Sequence, residues 1–176
     1  QMEAGVIDFQ DKNVTLLSDA NTTGSIGTLT DLSSIQGDHI TFNRYWASGS
    51  ANWRMMSSPI NDATFEQWND DFPTTGFVGS DFPTYPFSNI RTYNESFTQG
   101  LEADRNFGFE SIANISDTIN SALGYFVYFD PASSTIDLTG TFNRGPQNIP
   151  LTYNLSEMAG ENDGWNLVAN PFPSAI

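Results

Sequence analysis

Hydrophobic and polar residues alternate most clearly over residues 40–46 (ITFNRYW), where Ile40, Phe42 and, beyond Arg44, Trp46 fall on one side of an extended chain. The same reading predicts strands at 53–58, 90–93, 107–109, 125–129, 134–142 and 149–155. The first 35 residues carry only short apolar alternations, Val14 with Leu16 and Ile26 with Leu29, among many turn-forming side chains. Helical spacing shows at 63–69 (ATFEQWN), where Phe65 and Trp68 stand at i and i+3, and a second short helix is expected at 115–123. Residues 70–89 have no periodicity and hold Pro73, Pro83, Pro86, Gly76 and Gly79. A loop of this length is expected to cover or to bind something. No helix is long enough to cross over a parallel sheet, so the pattern predicts an all-β chain: an antiparallel β-sandwich or jelly roll with one or two short helices.

The chain also repeats itself. Trp53-Arg54-Met55-Met56-Ser57-Ser58-Pro59 returns as Trp165-Asn166-Leu167-Val168-Ala169-Asn170-Pro171. Each copy follows a turn-forming stretch, enters an apolar run and stops at a proline, which cannot donate to a strand ladder. A duplicated strand entry implies a duplicated module. The division expected is an N-terminal β-rich segment or end of a preceding domain at 1–36, a β-sandwich module at 37–160, and the opening strand of a second, truncated repeat at 161–176. Trp46, Trp53 and Trp165 are expected in the core because of the area each can bury.

With 14 Phe, 6 Tyr and 4 Trp, that core is carried by aromatic more than aliphatic residues. Acidic residues outnumber basic ones by 21 to 6, a net charge of -15 that repels nucleic acid and anionic membrane alike. No apolar run reaches membrane-spanning length, and no membrane insertion is expected. The absence of cysteine removes disulfides, thiolate metal sites and cysteine nucleophiles together.

Candidate chemistry is sparse. His39 is the only histidine, no Gly-x-Ser-x-Gly elbow accompanies it, and no enzyme is expected. Calcium is the one cofactor with a chemical case. Asp70, Asp71 and Asp81 share one loop, and Asp163 sits in a second acidic turn, where carboxylate and backbone oxygens could build a shell. The alternative for both stretches is turn formation through their own backbone hydrogen bonds. Trp68, Phe72, Phe82 and Tyr85 around the long loop offer either a platform for polysaccharide or the packing that holds the loop down.

The ordered series GDHITFNRYW (37–46), NWRMMSSPI (52–60), SNIRTYNES (88–96), ALGYFVYF (122–129), IDLTGTFN (136–143) and DGWNLVANPFPSAI (163–176) resembles a region of large secreted surface proteins of Bacteroidetes, passengers of the type IX system. The departure from that pattern is Ala169, where a glycine is usual. The resemblance implies an extracellular or cell-surface location, a structural or adhesive role, and other modules of the same parent protein or neighbouring subunits as partners. Asp117-Thr118-Ile119 is similar to the Asp-Ser/Thr-apolar acceptor of Bacteroidetes O-glycosylation, with Thr118 as the acceptor. A carbohydrate-binding module using the loop aromatics is the alternative.

Overall fold

The computed structural model describes residues 5–10, 12–27, 33–36, 40–96, 108–130, 135–143, 146–155 and 164–173. The strands are β1 (Gly5–Asp8), β2 (Val14–Leu16), β3 (Ser33–Gln36), β4 (Ile40–Tyr45), β5 (Asn52–Met56), β6 (Ile60–Asn61), β7 (Ile90–Tyr93), β8 (Phe109–Ser111), β9 (Tyr125–Phe129) and β10 (Thr135–Phe142), with one short helix, α1 (Glu66–Asn69). The chain is all-β, as its alternation predicts. One four-stranded sheet runs in the order β2-β4-β10-β6 and the other in the order β5-β9-β7-β8, with β1 and β3 pairing separately. Every pair in the second sheet is antiparallel. The two parallel pairs, β1 with β3 and β2 with β4, both use the N-terminal segment. Residues 14–16 therefore form an edge of the sandwich.

Side-chain alternation divides each sheet into two faces. Ile40 and Phe42 of β4 lie on the same face as Ile136 and Leu138 of β10, because Phe42 stands opposite Leu138 and Arg44 opposite Ile136. Tyr125, Val127 and Phe129 of β9 and Ile90 of β7 are buried in the same core cluster. Helix α1 binds the two sheets together. Phe65 and Trp68 meet the Tyr125 ring edge-on at 5.2 and 5.9 Å, and Phe72 stacks on Phe129 at 4.8 Å. Burying rings of this size stabilises by about 1.5–3 kcal/mol each.

On its other side the helix closes the β10 edge where β6, pairing only at Thr141 and Phe142, leaves off. Gln67 and Asp71, one helical turn apart, bond to the β10 backbone at Thr139 and Asp137.

The long loop folds down on the sandwich. Phe72, Phe77, Thr74 and Ser80 are buried. The Asn89 side chain ties three backbones together, accepting from Thr75 N–H at 2.8 Å and donating to Pro73 and Tyr128 carbonyls at 2.9 and 3.1 Å. Gly76 is required in it, since its φ is +83° and a Cβ there would lie 2.6 Å from the Phe87 backbone.

Several expectations are corrected. Residues 115–123 are turns, because Ile119 N–H, which a helix would direct to Ile115 O, donates to Ala63 O at 2.7 Å, and the Asn120 side chain takes Ala122 N–H. Residues 149–155 and 165–169 join no ladder beyond one bridge between Leu123 and Val168. Trp46 is half-buried and packs against the core cluster as expected, whereas Trp53 is half-buried outside it. Trp165 is 64% exposed, so it is a surface residue and not part of the core.

Candidate functional site

The two stretches that read as strands but find no sheet lie together. Leu151, Tyr153 and Leu155, at i, i+2 and i+4, are 67%, 67% and 75% exposed, as expected for one side of an extended segment. Trp165 adds a fourth large apolar surface. Gly164 makes the approach of the two stretches close, since its φ is +77° and a Cβ there would meet the Tyr153 ring at 2.5 Å.

Side chains take the place of a neighbouring strand along one edge of this segment. The Asn166 amide accepts from Thr152 N–H at 3.1 Å and donates to Thr152 O at 2.8 Å. Glu95 accepts the N–H of Asn154, its side-chain amide at 2.7 Å, and Gly164 N–H at 3.0 Å. Partial desolvation pushes the Glu95 carboxyl up, but these donors pull it further down, below the usual glutamate range. The bonds serve positions 152 and 154. The backbone groups of Leu151, Tyr153 and Leu155 have no partner among the described residues. Among the described residues one strand edge is thus filled and the other is open. Residues 146–155 contain no charged side chain in a chain of net charge -15.

Residues 164–169 are anchored from the far side. Gly124 N–H donates to Leu167 O at 3.0 Å and Ala169 N–H to Ala122 O at 3.3 Å.

The repeated motif therefore occupies two environments. In the first copy Trp53 lies on β5 opposite Tyr128 of β9, its indole stacked on Phe126 at 4.7 Å and 8°, with the Arg91 guanidinium 5.5 Å from the ring. In the second copy Trp165 has no ring or cation contact among the described residues. Periodicity gave the extended conformation of this segment but not the lack of a partner.

The remaining candidates lie elsewhere. Trp68 is 0% and Phe72 3% exposed, so neither can stack on a sugar; a platform of four rings does not exist, and both rings belong to the core. Phe82 and Tyr85 are exposed, at 56% and 55%. Asp71 accepts Asp137 N–H at 2.8 Å, and Asp81 accepts Thr74 N–H at 3.0 Å and the Asn69 side chain at 3.5 Å. Burial pushes the Asp71 carboxyl up to about 6, against the pull of Asp137 N–H and aided by the charges of Asp137 and Asp70. Asp70 is on the surface. Among the described residues no three carboxylates or imidazoles gather as a metal site. Asp163 and His39 lie outside the described residues. Thr118 is exposed and bridged to Thr64. No described helix is long and apolar enough to cross a membrane.

Comparison with protein-family models, with curated proteins and with solved structures gives no match.

Proposed function

We infer that this is a non-catalytic structural or adhesive module of a bacterial surface or secreted protein, acting outside the cell as an assembly unit. Its open edge at 151–155, flanked by Trp165, takes a strand from another copy of the module. The observation that carries this reading is the combination at that edge: alternate apolar side chains in water beside backbone groups that have no partner among the described residues. Such an edge templates strand addition, and natural proteins rarely leave one uncovered. The lack of charge over 146–155 suits contact between modules that repel each other everywhere else.

Sedimentation velocity over a wide concentration range tests the proposal. The chain is expected to associate, and the double substitution Leu151→Asp with Leu155→Asp to remain monomeric at unchanged melting temperature. A chain that stays monomeric into the millimolar range refutes the assembly reading.

A second reading, polysaccharide binding, is favoured by one observation: Phe82 and Tyr85 keep more than half their surface in water. It rests on these two rings alone.

A further inference from the structure

The core of the sandwich is open beside β5. This strand is the outermost of its sheet, whereas β4 and β10 are central in the other. A cleft of about 510 Å³ remains over the core-facing side of β4 and β10, bounded by Phe42, Ile136 and Leu138 with Met56 and Phe172. Residues 170–173 strap its rim, held by Ile26 N–H on Pro173 O at 3.2 Å and by the Asn143 amide on Pro171 O at 3.0 Å.

One charged group interrupts this mostly apolar lining. Arg44 continues the core-facing series Ile40, Phe42 and stands opposite buried Ile136, where an apolar residue would otherwise complete the face. Its exposed guanidinium has neither hydrogen bond nor carboxylate partner among the described residues. The contrast with Arg54 is direct: that guanidinium lies 4.7 Å from the Phe129 ring centre and donates to the Phe129 carbonyl at 3.0 Å. Trp46 and Trp68 also line the cleft, and among the described residues Arg44 is the one charged residue in its lining. An apolar cleft with one cation at its mouth is an arrangement that takes a ligand apolar over most of its length and anionic at one end.

The geometry points to a binding site for a small amphipathic carboxylate, its apolar body on Phe42, Ile136 and Leu138 and its carboxylate on the Arg44 guanidinium. The volume lies within the range of small-molecule sites, which are mostly apolar with a few polar groups that fix orientation. Repulsion from the acidic surface is screened over about 8–10 Å at ordinary ionic strength, so the contact with Arg44 decides the preference for an anion. This site is separate from the strand edge, and neither reading depends on the other.

Titration calorimetry of the full chain with octanoate tests the site, with octan-1-ol and octylamine as the neutral and cationic counterparts. Saturable binding of octanoate is expected, with octylamine weaker by about tenfold or more because it faces a like charge. Arg44→Gln should leave the melting temperature unchanged, weaken octanoate by about tenfold and leave octan-1-ol unaltered. Ser25→Trp, which adds bulk at the rim from an exposed loop position, should abolish binding of all three. Undiminished octanoate binding by Arg44→Gln overturns the carboxylate assignment. Absence of saturable octanoate binding, or binding that survives Ser25→Trp, overturns the site itself.

Discussion

The side-chain amide of Gln67 pairs with the backbone of Thr139 as a strand would: Oε1 accepts Thr139 N–H at 2.6 Å and Nε2 donates to Thr139 O at 3.2 Å. One residue of α1 thus continues the sheet past the end of β6. Gln67→Ala strands a donor and an acceptor at a partly buried edge and is expected to lower stability by about 1–3 kcal/mol. Urea unfolding measures it, and a change inside experimental error would show that water replaces the amide without loss.

Asp71 fills the next position along that edge, and its carboxyl has an unusual pH signature. Its folded-state value of about 6 lies above the ordinary 3.8, so between those values the folded chain holds a proton that the unfolded chain has lost. Its contribution to stability is therefore greatest in acid, falls as pH rises from about 4 to 6, and is constant above. The full shift corresponds to ~3 kcal/mol, which solvent screening of a half-exposed group reduces to ~1 kcal/mol. Asp71→Asn keeps an acceptor for Asp137 N–H and is expected to stabilise by that amount at pH 7. At pH 4 the gain should vanish; a loss at both pH values would contradict the assignment.

Glu95 has the opposite sign. Its lowered carboxyl grips Asn154 and Gly164 above the ordinary glutamate range and releases them as pH falls below it. Glu95→Ala should speed hydrogen exchange at the amides of 154 and 164 and expose residues 149–155 to protease, while the core amides keep their protection. Equal protection at 154 in both proteins would show that the clamp is idle.

Trp165, at 64% exposure, should dominate the red edge of the fluorescence spectrum, since Trp68 is buried and Trp46 and Trp53 are half-buried. Trp165→Phe is expected to shift emission to the blue and remove most quenching by acrylamide, with stability changed by less than about 0.5 kcal/mol. Unchanged quenching would place the accessible indole elsewhere.

Phe82 and Tyr85 decide the polysaccharide reading. If it holds, Tyr85→Ala and Phe82→Ala each reduce retention on an insoluble glycan without altering the melting temperature, and both rings lie far enough into water for the fold to tolerate the change. No retention of the unsubstituted chain on a broad glycan panel would remove this reading.

The strands of the sandwich were legible because burial on one face leaves a period of two in the sequence, as at Ile40, Phe42 and Val127, Phe129. The same period at Leu151, Tyr153 and Leu155 revealed an extended chain but not its missing neighbour, because pairing is a property of the partner as well as of the segment. Phe72 was indistinguishable from Phe82 and Tyr85 in an aperiodic loop, and its burial depends on where β9 offers Phe129 to receive it; for Trp68 the helical spacing with Phe65 already marked a shared face, which packs on Tyr125. The short helix expected at 115–123 gave way to turns because Ile115 and Ile119 donate their N–H groups to Val78 and Ala63, residues far off in the chain that no local reading could supply. Arg44 carried its signal openly, a cation at the third core-facing position of a strand, and only the fold shows the cleft beneath it.

The bond from Ile26 N–H to Pro173 O joins two segments from opposite ends of the described chain, and the Thr41 and Thr139 hydroxyls meet at 2.8 Å across 98 positions. A topology closed by such distant contacts must order long intervening loops before they are rewarded, so folding is expected to be slow for the length of the chain. Until residue 173 has left the ribosome the strap cannot close, and the apolar lining of the cleft beneath it stays open to water.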